Sequence, residues 1–136
     1  MTQEEKQLLI QDLSTRLPYK TYVKTTKGIG YVYAINTSQL VELSVANDSE
    51  YWSEVFNIEK IKPYLRSMSS MTEEETIEFI NLTDSIIKFV NKHYAVLSLQ
   101  QIDWLNVHHF DYQELIPKGL AIEVTKDNNP YEKQYS

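Results

Sequence analysis

Cysteine is absent from the 136 residues, which excludes disulfides, thiol nucleophiles and cysteine-held zinc or iron–sulfur sites. No apolar run approaches the roughly 18 residues that a membrane-spanning helix requires, so no membrane partner is expected. The opening Met1-Thr2-Gln3-Glu4-Glu5 places acids where a secretion signal carries positive charge, and no apolar block of suitable length follows. Secretion is therefore not indicated. Glycine is scarce, at three residues, and Lys27-Gly28-Ile29-Gly30 holds two of them. That pair lies between two strand-like runs rather than between a strand and a helix, so it lacks the setting of a phosphate loop. There is no G-x-S-x-G and no serine in a distinctive turn near a histidine. Basic residues are in the minority, and a net charge of -6 with a pI near 5.0 argues against generic binding to nucleic acid or anionic lipid.

What is present suits a single soluble-type core: 42% hydrophobic and 24% charged residues, in a length usual for one domain. The charge is uneven. Residues 1–66 balance eight basic against eight acidic side chains, whereas residues 67–136 hold five against eleven. The hydrophobic period changes at the same place. Three parts follow: 1–66, a helix with a small β-sheet or barrel; 67–124, a helical region packed with it as one domain; and 125–136, a polar tail.

Thr2 with Glu5 spells a capping box, and Leu8, Leu9, Leu13 and Leu17 follow at helical spacing until Pro18. Thr21–Thr26 and Ile29–Ile35 are rich in β-branched and aromatic residues, with Lys27-Gly28 as a tight turn. Gln39–Ala46 alternates Val41, Leu43 and Val45 with polar residues, and Tyr51–Phe56 makes a fourth strand. A one-turn step over Ile58–Ile61 leads to Lys62-Pro63-Tyr64-Leu65-Arg66, where Pro63 predicts a short edge strand. This order predicts an α+β fold whose antiparallel sheet is either open or closed as an SH3-like barrel, followed by two to three C-terminal helices. Thr72 with Glu75 starts a helix predicted to reach about His93, with Phe79, Ile80, Ile86, Ile87 and Val90 as its apolar stripe. Ser98 with Gln101 starts another through Val107 or His108, and Asp111 with Glu114 resembles a further start, halted near Pro117 and Gly119.

Three clusters deserve weighing for chemistry. Glu73, Glu74, Glu75 and Glu78 sit in or next to a first helical turn, where carboxylates compensate the helix dipole. His108-His109-x-Asp111 has a metal-like composition, but neighbouring helical residues diverge by about 100°. The structural reading puts His108 one turn after Trp104, His109 on the apolar side with Ile102 and Leu105, and Asp111 as a cap. Trp104, His108, His109 and Asp111 are thus expected to form a helix junction, with no metal, cofactor or catalytic group. The third cluster is a sheet surface of Tyr19, Lys20, Tyr22, Lys24, Lys27, Tyr31 and Tyr33. Tyrosines offer large rigid contacts with polar tips, which suit a protein partner, and rings interleaved with lysines also suit single-stranded nucleic acid. A non-enzymatic protein-interaction or accessory module is expected, with a nucleic-acid-binding accessory protein as the alternative.

Lys62-Pro63-Tyr64-Leu65-Arg66 followed by Met68-Ser69-Ser70-Met71-Thr72-Glu73-Glu74-Glu75 forms one distinctive stretch. Asp103-Trp104-Leu105-Asn106, His108-His109-Phe110-Asp111-Tyr112, Leu115-Ile116 and Lys118-Gly119-Leu120-Ala121-Ile122-Glu123 form a second. Together they resemble a family of small uncharacterised proteins of Bacteroides-type gut bacteria, often encoded in prophages or other mobile elements. Met1–Lys6 and Arg16-Leu17-Pro18-Tyr19 fit the same pattern. Ser67 departs from the proline expected there, and Thr76–Gln101 matches no part of the pattern. The resemblance carries over no catalytic residue and implies a cytoplasmic accessory protein of a bacterium or its phage.

Overall fold

The computed structural model describes residues 1–36, 42–82 and 97–132. Helix α1 (Gln3–Arg16) opens on the reciprocal cap that its sequence spells: the Glu5 amide donates to the Thr2 hydroxyl at 3.1 Å, and the Thr2 amide to the Glu5 carboxylate at 2.8 Å. Four-residue spacing carries Leu9 and Leu13 to one buried side. Pro18 converts the chain to a 3-10 turn (Leu17–Tyr19), and Lys20, at φ 55°, redirects it into the sheet.

Among the described residues six strands follow: β1 (Tyr22–Lys24), β2 (Ile29–Asn36), β3 (Glu42–Asn47), β4 (Trp52–Asn57), β5 (Lys62–Leu65) and β6 (Ile122–Glu123), in the order β4-β3-β2-β1-β5-β6. Every pairing is antiparallel except β5 with β6. The α+β class is therefore correct, while the SH3-like barrel is not: β5 lies between β1 and the parallel β6, so the sheet stays open with β4 and β6 at its ends. Pro63 is likewise not on an edge strand. It faces Val23, and pairing with β6 begins only at Tyr64, so its missing N–H interrupts no ladder there.

Alternation along the strands sends Val23, Val32, Leu43, Val45, Phe56 and Leu65 into one cluster with Leu9 and Leu13 of α1. Each such side chain, fully buried, contributes about 1.5–3 kcal/mol. Gly30 is required by close approach, since a Cβ there would stand 2.5 Å from the Ala46 carbonyl oxygen and 2.7 Å from a Val45 methyl.

Past Arg66, a 3-10 turn (Met68–Ser70) leads to α2 (Glu73–Ile80), capped by Thr72 and Glu75, and α3 (Leu99–Val107) is capped by Ser98 and Gln101. Trp104, Leu105 and Phe110 form a second cluster with Phe79, Leu97 and Tyr112 packed against it. The stretch expected to extend α2 to His93, with Ile86, Ile87 and Val90, lies outside the described residues, as do Gln39–Val41. No helix starts at Asp111. Residues 112–119 form turns, and the Asp111 carboxylate instead accepts the amides of Leu115 and Ile116, each at 2.8 Å. The polar tail also needs correction over 125–132, because Pro130 is buried and Tyr131 is docked on the sheet. Among the described residues, no helix is long and apolar enough to cross a membrane.

Candidate interaction groove

Residues alternate across a strand, so the side of β1 and β2 facing away from α1 displays Tyr22, Lys24, Tyr31 and Tyr33. Register pairs Tyr22 with Tyr31, and their rings meet edge to face at 6.2 Å. The Lys20 ammonium lies 4.6 Å from the Tyr31 ring centre and 3.5 Å from the Asp48 carboxylate. Tyr31 donates to that same carboxylate at 3.1 Å, and burial with this bond pushes its hydroxyl above the ordinary value. Tyr33 is half exposed and hydrogen-bonds Ser53 at 2.8 Å, while Lys24 is exposed.

Two expected members turn elsewhere. Tyr19 donates to Asp103 on α3, and that bond raises its hydroxyl pKa. Lys27, in the β1–β2 turn, pairs with Glu54 at 2.7 Å and lies 5.4 Å from the Trp52 ring. The seven residues therefore do not make one platform.

Lys20 and Tyr22 instead line an open groove of about 960 Å³. Its floor includes Ile29 and Tyr64, one wall is the β3–β4 turn, and the other is the segment 126–130 with Glu132. Asn47 shapes the turn by accepting from Ser49 and the Glu50 amide while donating to the Ile29 carbonyl. Among the described residues, Asp48, Glu50, Asp127 and Glu132 line the groove against Lys20 and Lys126. Its balance is acidic, as is that of the whole chain.

Tyr131 joins the groove's far wall to the sheet. Its hydroxyl accepts from the Tyr22 amide at 3.2 Å and donates to the Tyr64 carbonyl at 2.6 Å, and burial raises its pKa strongly. Its ring meets Tyr22 edge to face at 5.4 Å and stacks on His109 at 3.8 Å.

The junction residues are spread along a path rather than gathered around one point. Trp104 and His108 are in ring contact at 4.3 Å, one helical turn apart, and Trp104 donates to Glu78 at 3.0 Å. His109 falls beyond α3 at φ 63°, not on its apolar side, because the chain reverses there to run beside Arg66. The Arg66 amide donates to the His109 carbonyl, and the Asp111 amide donates to the Arg66 carbonyl. Burial, with Arg16 nearby, lowers His109 to about 3, and its Nδ1 has no partner among the described residues. His109 is thus a neutral ring clasping Tyr131. Among the described residues, no three His, Asp or Glu side chains are grouped to hold a metal ion.

Beneath this region lies a buried ion pair that sequence reading missed. Arg16 and Asp12, both fully buried, meet through two hydrogen bonds of 2.7 and 3.0 Å, and Arg16 also donates to the Phe110 carbonyl at 2.6 Å. Burial raises the Asp12 pKa against the opposing pull of Arg16. The signal available in the sequence was Asp12 and Arg16 at i and i+4, on the same side as Leu9 and Leu13. No protein-family model, curated protein or solved structure matches the chain.

Proposed function

We propose that this chain is a non-enzymatic protein-interaction module that binds an extended, basic segment of a partner protein in the groove between the β3–β4 turn and residues 126–132. The observation that carries this reading is the groove's lining among the described residues, four carboxylates against two ammonium groups beside Tyr22 and Tyr64. Lysine- or arginine-bearing chain complements that charge, and tyrosine provides contact area at low entropic cost. Single-stranded nucleic acid is disfavoured by the same lining, and Lys20 and Lys27 already have carboxylate partners. The sequence resemblance supports a setting as a cytoplasmic accessory protein of a bacterium or its phage.

Selection from a displayed library of random twelve-residue peptides tests this reading. Lys- and Arg-rich peptides are expected to be enriched, and Asp48→Lys with Asp127→Lys should abolish that enrichment while leaving the melting temperature within a few degrees. Enrichment without basic bias, or micromolar binding of a single-stranded oligonucleotide at physiological salt, would overturn it.

A further inference from the structure

The pairing of Val23 with Pro63 and Lys24 with Lys62 puts Tyr22 opposite Tyr64 in the β1–β5 register. A direct ladder bond from the Tyr22 amide to the Tyr64 carbonyl belongs at that position. Instead the Tyr131 hydroxyl stands between the two, accepting from one and donating to the other. Withdrawing Tyr131 would leave a donor and an acceptor already in register, able to close on each other. Loss of the hydroxyl therefore need not orphan a buried backbone group, the usual obstacle to undocking a segment.

Pro130 is also buried, but the exposed part of the segment is held chiefly by its own short-range bonds. Residues 125–128 are exposed, and Asn128 holds the bend by accepting from the Thr125 hydroxyl at 2.8 Å and donating to the Glu123 carbonyl at 3.1 Å. Asn129 accepts the Tyr131 amide at 3.0 Å. The body contributes the His109 ring face, the Tyr22 ring edge and the two backbone groups of the seam.

We infer that residues 125–132 are a hinged strap with two states. In the docked state the Tyr131 hydroxyl wedges the seam and the strap walls the groove. In the undocked state Tyr22 bonds directly to Tyr64 and the groove loses that wall. Because Asp127 and Glu132 belong to the strap, a basic ligand in the groove favours docking, and ligand binding and strap closure are coupled. The coupling rests on the groove reading above, whereas the two-state strap does not.

Amide hydrogen exchange of the ligand-free chain tests the strap by itself. The Tyr131 amide should exchange at least about a hundredfold faster than those of Val23 and Val45, reporting local opening. In Tyr131→Phe it should exchange about tenfold faster still, as expected for a lost hydrogen-bond anchor. The Tyr22 amide should keep its protection in that variant. Tyr131 exchange matching the core, or a Tyr22 amide deprotected by Tyr131→Phe, overturns the two-state strap whether or not any peptide binds. Added octa-lysine peptide should slow Tyr131 exchange in the wild type and bind Tyr131→Phe several-fold more weakly. A strap that opens as described but is unaffected by octa-lysine overturns the coupling and leaves the hinge standing.

Discussion

Replacing Arg16 by Met would remove the positive member of a fully buried ion pair while keeping a side chain of similar length. Asp12 would retain one hydrogen bond, from Gln113 at 3.2 Å, and would still lie within electrostatic reach of Asp111. Breaking a buried pair from one side costs about 3–5 kcal/mol, because an uncompensated charge remains. For a chain of this length that corresponds to a melting temperature lower by roughly 10–20 °C. The penalty should depend on pH in a definite direction. Asp12 already has a folded pKa above its unfolded value, so its ionisation lowers stability as pH rises above 3.8, and removing Arg16 extends that loss upward. Urea denaturation at pH 5 and pH 8 should therefore show the larger deficit at pH 8. The double variant Asp12→Leu with Arg16→Met should recover much of the loss and remain about 1–3 kcal/mol below wild type, because the Phe110 carbonyl loses its donor. A cost under about 1 kcal/mol for Arg16→Met, or a double variant no better than the single one, would refute the buried pair's role.

Arg66 holds Glu75 at about 2, below its ordinary 4.5, through two bonds of 2.8 Å, so the stabilisation is complete above pH 4.5 and is lost as pH falls toward 2. Glu75→Gln should flatten that acid limb by at most about 3 kcal/mol in the unfolding free energy from urea denaturation, and by less after solvent screening. His109, lowered to about 3 from 6.5, gives stability that is complete above pH 6.5 and is lost as pH falls through that window. His109→Phe, which keeps a ring for Tyr131, should make chemical denaturation flatter between pH 3 and 6.5, and an unchanged slope would refute the neutral, partly buried ring. Gly30→Ala should lower thermal stability by about 1–3 kcal/mol through overpacking against the Ala46 carbonyl, and a neutral result would show that the sheet yields there.

Features set by contacts three or four residues apart were legible. All three capping boxes, Thr2 with Glu5, Thr72 with Glu75 and Ser98 with Gln101, are formed, and Trp104 meets His108 at the spacing of one turn. Asp111 with Glu114 had the same form and misled, because Pro117 and Gly119 leave too little chain to repay helix nucleation. The carboxylate therefore serves amides four and five residues on, in a turn. The position of Pro63 depended on β6, a two-residue strand nearly sixty residues away, and no local period announces such a partner. Asp12 and Arg16 have the spacing of an ordinary solvated i, i+4 pair, and the groups that complete their site, the Phe110 carbonyl and Gln113, come from far along the chain.

Tyr131 shows most clearly where composition misleads. A stretch with Lys126, Asp127, Asn128 and Asn129 averages to a polar tail, but averages are the wrong measure when a single hydroxyl has two backbone partners waiting in the sheet. The same reasoning applies to the ten tyrosines of a chain without cysteine. Their abundance reads as surface for a partner, yet several hydroxyls are bonded within the protein: Tyr19 to Asp103, Tyr31 to Asp48, Tyr33 to Ser53 and Tyr112 to Asn106. Each ties together residues well apart in sequence or fixes a loop. Tyrosine therefore acts here first as a directional cross-link between elements. Tyr22 and Tyr64 are the tyrosines that line the groove, and Tyr131 ties its far wall to the sheet.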